Sequence, residues 1–187
     1  MNTTKRRKKT VNKLKEAIVY LSGPIDKAAD LGKGWREEFI KKAKHLKMQI
    51  IDPCNKPASF VHEVKGDVRT VTVLRNSKKW EELQAFVKQF RREDLRFTDA
   101  SDFLVVYIDP DVPSYGTLDE QKKPCFCIVK GGISCLPTWL FGVFRLEEVF
   151  SSVDECIEHL NKINQGKVDM DRRWVLFRKQ LREQSER

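Results

Sequence analysis

Three short stretches of this chain place polar and turn-forming residues directly after apolar runs, where side chains are free to do chemistry. They are Tyr20-Leu21-Ser22-Gly23-Pro24-Ile25, Ile51-Asp52-Pro53 and Asp109-Pro110-Asp111-Val112-Pro113-Ser114-Tyr115-Gly116-Thr117. The third then delivers two carboxylates, Asp119 and Glu120. Carboxylates act as nucleophiles or as proton carriers, and a loop after a buried strand is a favoured place for function. Asp and Pro after a strand are also ordinary turn chemistry, so no single stretch decides. The cysteines and histidines offer less. Cys54, Cys125, Cys127, Cys135 and Cys156 form no C-x-x-C pair, and His45, His62 and His159 show no ligand spacing with them, which argues against zinc. An odd number of thiols suits reduced cysteines in a cytoplasmic protein.

The elements that must position these stretches are legible from periodicity. Ala17-Ile18-Val19-Tyr20-Leu21 is a β-branched run that stops at Ser22-Gly23-Pro24, a strand followed by a tight turn. Trp35, Phe39, Ile40, Ala43 and Leu46 recur at three to four residues between lysines, which is an amphipathic helix. Residues 48–51 form a second short strand before Asp52-Pro53. Residues 62–75 mix polar side chains with valines and fit either an inserted hairpin or a loop. Trp80, Leu83, Phe86, Val87, Phe90, Leu95 and Phe97 keep helical spacing, so a long helix runs over about residues 78–100. Residues 102–108 and 125–129 are continuous apolar runs, the pattern of buried parallel strands. Residues 143–149 suggest one more strand, and residues 154–164 a helix with Ser151 or Ser152 at its N-cap. A last helix over about 169–184 carries Trp174, Phe177 and Leu181 on one side. This alternation predicts an α/β three-layer sandwich with a mainly parallel central sheet, flavodoxin/Rossmann-like.

The chain of 187 residues fits one domain, residues 16–166, with a basic tail at 1–15 and the final helix at 167–187. Hydrophobic residues make up 40% of it, which suits a globular core, and no apolar run approaches a membrane span. The formal charge is +9, and Lys5-Arg6-Arg7-Lys8-Lys9 concentrates part of it. Such a block is ordinarily a solvated tail, with weak nucleic-acid contact as its functional alternative. No recognition-helix or aromatic-strand motif accompanies it.

In order and spacing, these segments resemble the nucleoside 2-deoxyribosyltransferase family. The Tyr20-to-Ile25 segment matches a strand that ends in a Tyr-Leu-x-Gly-Pro-like turn, and Gly34-Trp35-Arg36 matches the element that opens the first helix. Asp94, eight residues ahead of the Asp102 that begins Asp102-Phe103-Leu104-Val105-Val106-Tyr107, reproduces another spacing of the family. Ser114, Gly116 and Glu120 fit its loop, with a glycine between a Ser and a Glu six residues on. The likeness covers residues 17–129 and, more loosely, Pro137-Thr138-Trp139-Leu140-Phe141-Gly142.

The resemblance implies chemistry at the N-glycosidic bond of a nucleoside or nucleotide, by deoxyribosyl transfer or hydrolysis. Glu120 would attack C1′ and form a glycosyl ester while the base departs, as in retaining glycosidases. Asp94 would supply the base with a proton or hold it, and Tyr20 would orient Glu120. Ser114 would contact a sugar hydroxyl or a 5′-phosphate, while Gly23, Pro24 and Gly116 would let the backbone approach the ligand. Arg36 is the cation named for a 5′-phosphate; a solvated helix position is its plainer alternative. The resemblance implies neither a metal nor an organic cofactor. It also implies a homo-oligomer, for which Trp139-Leu140-Phe141 could form an interface or equally the core. Only Gln121-Lys122-Lys123 separates Glu120 from Pro124, too few for the helix that the family places there. The alternative is therefore a catalytically silent nucleotide-binding or interaction protein on the same fold.

Overall fold

The computed structural model describes residues 12–25, 27–56, 67–113 and 124–168. Five strands form its sheet: β1 (Ile18–Ser22), β2 (Gln49–Ile51), β3 (Phe103–Ile108), β4 (Cys125–Val129) and β5 (Val149–Phe150). Among the described residues the helices are α1 (Lys33–Ala43), α2 (Asp67–Asn76), α3 (Trp80–Ala100) and α4 (Val153–Asn164). The strands run in the order β2-β1-β3-β4-β5, and every pairing is parallel. This is the flavodoxin-like order, with its topological switch point between β1 and β3. The chain leaves β1 toward one edge of the sheet and β3 lies on the other side, so a crevice opens beyond their carboxyl ends.

Alternation along the strands divides the core into two layers. Val19, Leu21, Phe103, Val105, Phe126 and Ile128 face one side, where α1 and α4 cover them through Trp35, Phe39, Ala43, Cys156, Ile157 and Leu160. Tyr20, Leu104, Val106, Cys125, Cys127 and Val129 face the other, under Phe97 of α3 and a run of 3-10 turns that supplies Leu136, Leu140 and Phe144. All five cysteines are free thiols, and four of them are buried. Burial pushes the Cys127 thiol up to about 12, so it packs as a small apolar group.

Local signals explain the ends of the elements. The Ser152 hydroxyl caps α4 by accepting the Glu155 N–H, and the Glu155 carboxylate accepts the Ser151 N–H in return. The Asp30 carboxylate does the same for α1, accepting from Gly34 at 2.7 Å and Gly32 at 2.8 Å. The Gly34 hydrogen bond in particular holds its carboxyl below the ordinary value. Asp102 clamps the start of the sheet: it accepts the Ile18 N–H on its carboxylate and donates its own N–H to the Ile18 carbonyl, each at 2.7 Å.

Two sequence expectations change here. Part of the segment left between hairpin and loop is helical, since α2 spans Asp67–Asn76 and packs against α3. The strand expected over residues 143–149 shrinks to Val149–Phe150, because 3-10 turns occupy the connection up to Glu148. Within that connection Leu140 is core, whereas Trp139 is 85% exposed and Phe141 is exposed too. No described helix is long and apolar enough to cross a membrane.

His159 on α4 lies half-buried between the rings of Phe126 and Phe150, with centroids 5.4 and 5.2 Å away. Burial, aided by Lys162, lowers its pKa below the ordinary 6.5, so the fold favours the neutral ring. The unfolded chain then binds the proton more readily. Stability is complete above pH 6.5 and falls as the pH drops through that value toward the lower folded one. Thermal melts at pH 7.5 and 5.5 should show a lower midpoint at pH 5.5, and His159→Phe should shrink that difference.

Candidate functional site

Two polar groups flank the end of β1, one on each face of the sheet. On the face of α1, the Arg36 guanidinium is fully buried. Its Nη2 donates to the Gly23 carbonyl at 3.0 Å and its Nη1 to the Gly32 carbonyl at 2.6 Å. Nε lies 3.6 Å from Asp52 Oδ1 at the end of β2. The guanidinium also sits 4.7 Å from the centre of the Trp35 ring, and Trp35 stacks on Tyr107 of β3 with centroids 5.1 Å apart. Arg36 thus ties the turns after β1 and β2 to the start of α1. Arg36 is therefore not the solvated helix residue that was one expectation for it: it is buried and braces the backbone of the turn.

That brace dictates two glycines. Gly32 has φ 69°, and a Cβ there would run into the Pro24 carbonyl and Arg36 Nη1. A Cβ on Gly23 would lie 2.9 Å from the Trp35 indole. The bare side of Gly23 therefore serves close packing of the turn on Trp35.

On the face of α3, Tyr20, Asp94 and Lys56 meet. Asp94 projects from α3 and accepts a hydrogen bond from the Tyr20 hydroxyl. Lys56 follows the 3-10 turn Pro53–Asn55, which Asp52 caps by accepting the Cys54 N–H at 2.9 Å. Its Nζ lies 2.7 Å from Asp94 Oδ1, with only 1% of the lysine side chain and 10% of the aspartate side chain exposed. The two side chains form a nearly buried ion pair. Burial raises the Asp94 carboxyl above its ordinary value, outweighing the opposing pull of the Lys56 ammonium and the Tyr20 hydroxyl. A carboxyl so placed keeps its proton more readily than a solvated one, as a general acid must.

The rim of the crevice is polar. Asp109 follows β3, and Lys130 follows β4 and reaches it at 2.9 Å, with Asp111 at 3.5 Å. Helix α3 is longer than the strands it packs on. At about 1.5 Å per residue, α3 measures roughly 31 Å, whereas the six residues of β3 span roughly 20 Å. Asp94 and Thr98, near its C-terminus, are buried. Burial then fades toward the exposed Trp80 at its start, while Leu83, Phe86, Val87 and Phe90 stay half-buried.

Of the residues expected from the sequence, Tyr20 and Asp94 come together, and Gly23, Pro24 and Arg36 form the braced turn beside them. Ser114, Gly116 and Glu120 lie outside the described residues. Asp102, the second aspartate of the spacing, is the clamp between β1 and β3 rather than a group in the crevice. Lys56 was missed, because one lysine among 36 basic residues carries no periodic signal. Comparison with known proteins finds no family model that matches the chain and no similar curated protein.

Proposed function

We propose that this protein acts on the N-glycosidic bond of a nucleoside or nucleotide, by deoxyribosyl transfer or hydrolysis through a glycosyl ester on Glu120. The observation that carries the proposal is the buried Asp94, hydrogen-bonded by Tyr20 beside the switch-point crevice, with its carboxyl biased toward the protonated form. A departing base needs a proton donor held against the sugar, and a desolvated carboxyl on a long helix meets that need. The resemblance of the Ser114, Gly116 and Glu120 loop supplies the nucleophile.

The test is incubation of the purified protein with a panel of deoxynucleosides and deoxynucleoside monophosphates, with and without a second free base, read by chromatography. Release or exchange of base that disappears in Glu120→Ala supports the proposal. One observation favours the second reading, a protein that binds nucleotides without processing them: the Lys56–Asp94 pair is almost closed to solvent. That reading expects heat of binding in calorimetry with the same panel and no released base.

A further inference from the structure

The connection from β4 to β5 covers the second face of the sheet without a helix. A crossover between parallel strands is usually helical, and helices usually layer both faces of a parallel sheet. Here 3-10 turns and the bends beside them take that place, and Leu136, Leu140 and Phe144 reach from them into the core. The outward positions of the same run are apolar as well. Trp139 is 85% exposed, Leu146 is 60% exposed, and Ile133, Phe141 and Val143 are each nearly half exposed. Arg145 is the only charged residue between positions 133 and 146, in a chain of which 34% is charged. A strap that only closed the core would turn polar side chains to water at these positions. Trp80, the remaining exposed aromatic among the described residues, differs: it stands among Lys78, Lys79, Glu81 and Glu82.

We propose that residues 133–146 form a two-fold interface between two copies of this chain. Side chains exposed to this degree leave on the order of 500 Å² of apolar surface in water, at the upper end for a monomer. Two copies face to face would remove about 1,000 Å² of it, the size from which a specific interface starts. The residue types suit such a contact, since interface centres are rich in Trp, Phe and Arg and poor in other charges. A nearly uncharged run also matches itself: a two-fold axis sets a surface against its own copy, and apolar contact has no sign to conflict. A nucleic acid or an acidic partner would find a single cation there, so charge gives it little hold. In the dimer each run becomes the outer layer that a crossover helix would otherwise supply, with Trp139 as its anchor. The dimer does not depend on the chemistry proposed above.

Sedimentation velocity of the full chain over about 1–100 µM reads the association directly. The wild type is expected to be a dimer, and Trp139→Glu to weaken it about 10²-fold or more, the loss typical of a buried tryptophan anchor. Trp80→Glu should associate as the wild type does. Both tryptophans are exposed in the single copy, so neither change should unfold it, and circular dichroism checks this. Leu146→Lys carries the comparison if Trp139→Glu does not fold. Raising NaCl from about 0.1 to about 0.5 M should not loosen the dimer, since salt screens charges and not apolar contacts. A wild type that stays monomeric at about 100 µM overturns the proposal and leaves the run to a different occupant. So does a Trp139→Glu protein that dimerises as tightly as the wild type, because the contact then lies elsewhere. Loss of the dimer with salt overturns it too, by placing the contact on charged segments.

Discussion

Asp94→Asn is expected to lower kcat for base release by about 10²–10⁴-fold, the usual worth of a positioned general acid. Asparagine matches the shape of the side chain and still offers an oxygen to the Tyr20 hydroxyl, but it carries no proton to the base. The loss should therefore fall on kcat more than on KM. The pH profile gives the sign. The proposed role of Asp94 calls for its acid form, and its carboxyl is raised above the ordinary 3.8 chiefly by burial. Base release should decline as pH rises through that raised value, and the Asn variant should lack this limb. A variant of full activity would remove Asp94 from the chemistry. Because the substitution leaves the Lys56 charge without its partner, a denaturation curve must accompany the rates.

Arg36→Met is expected to destabilise the fold by about 3–5 kcal/mol, the cost of taking one partner from a buried charged arrangement. The apolar stem of methionine fills part of the space, so lost volume is a small share of the effect. The larger share falls on the Gly23 and Gly32 carbonyls, which lose their donors, and on Asp52, which loses a cation 3.6 Å away. Urea denaturation should show a lower midpoint with an unchanged slope. A shift below about 1 kcal/mol would mean that water replaces the guanidinium and that the turn holds without it.

The sheet was readable because its strands are apolar runs with few alternatives. Residues 125–129 are the same in the sequence reading and in the structure, and the Ser152 cap follows from a hydroxyl three residues ahead of a glutamate. Tertiary context decided the remainder. Helix α2 has few strong periodic cues of its own and is helical against α3. The stretch before β5 has enough apolar residues for a strand, yet Leu136, Leu140 and Phe144 cap the second face of the sheet from 3-10 turns and the bends beside them instead. At the site, family likeness singled out Tyr20 and Asp94 but set Tyr20 to orient Glu120; its hydrogen bond to Asp94 is visible only in the folded chain. Nothing in the order of residues announces that Lys56 is buried, because burial of a lysine depends on a helix that begins 24 positions later. Arg36 shows the same limit from the other side: a cation at a helix start suggests a ligand, and only the folded chain reveals two carbonyls within reach.

The clamp between Ile18 and Asp102 joins residues 84 positions apart, and this has a bearing on how the molecule is made. β1 finds its first partner early, since β2 and α1 follow within a short stretch of chain. Its second partner, β3, arrives only after the whole α2–α3 excursion has been synthesised. Closing so large a loop costs entropy before any contact repays it, and parallel pairings of this kind fold slowly. On the ribosome, a β1–α1–β2 unit should therefore stand alone for some time with an open strand edge at β1. That edge is the future seam of the crevice, so a chaperone or a neighbouring nascent chain would meet it as an unpaired strand before the fold closes over it.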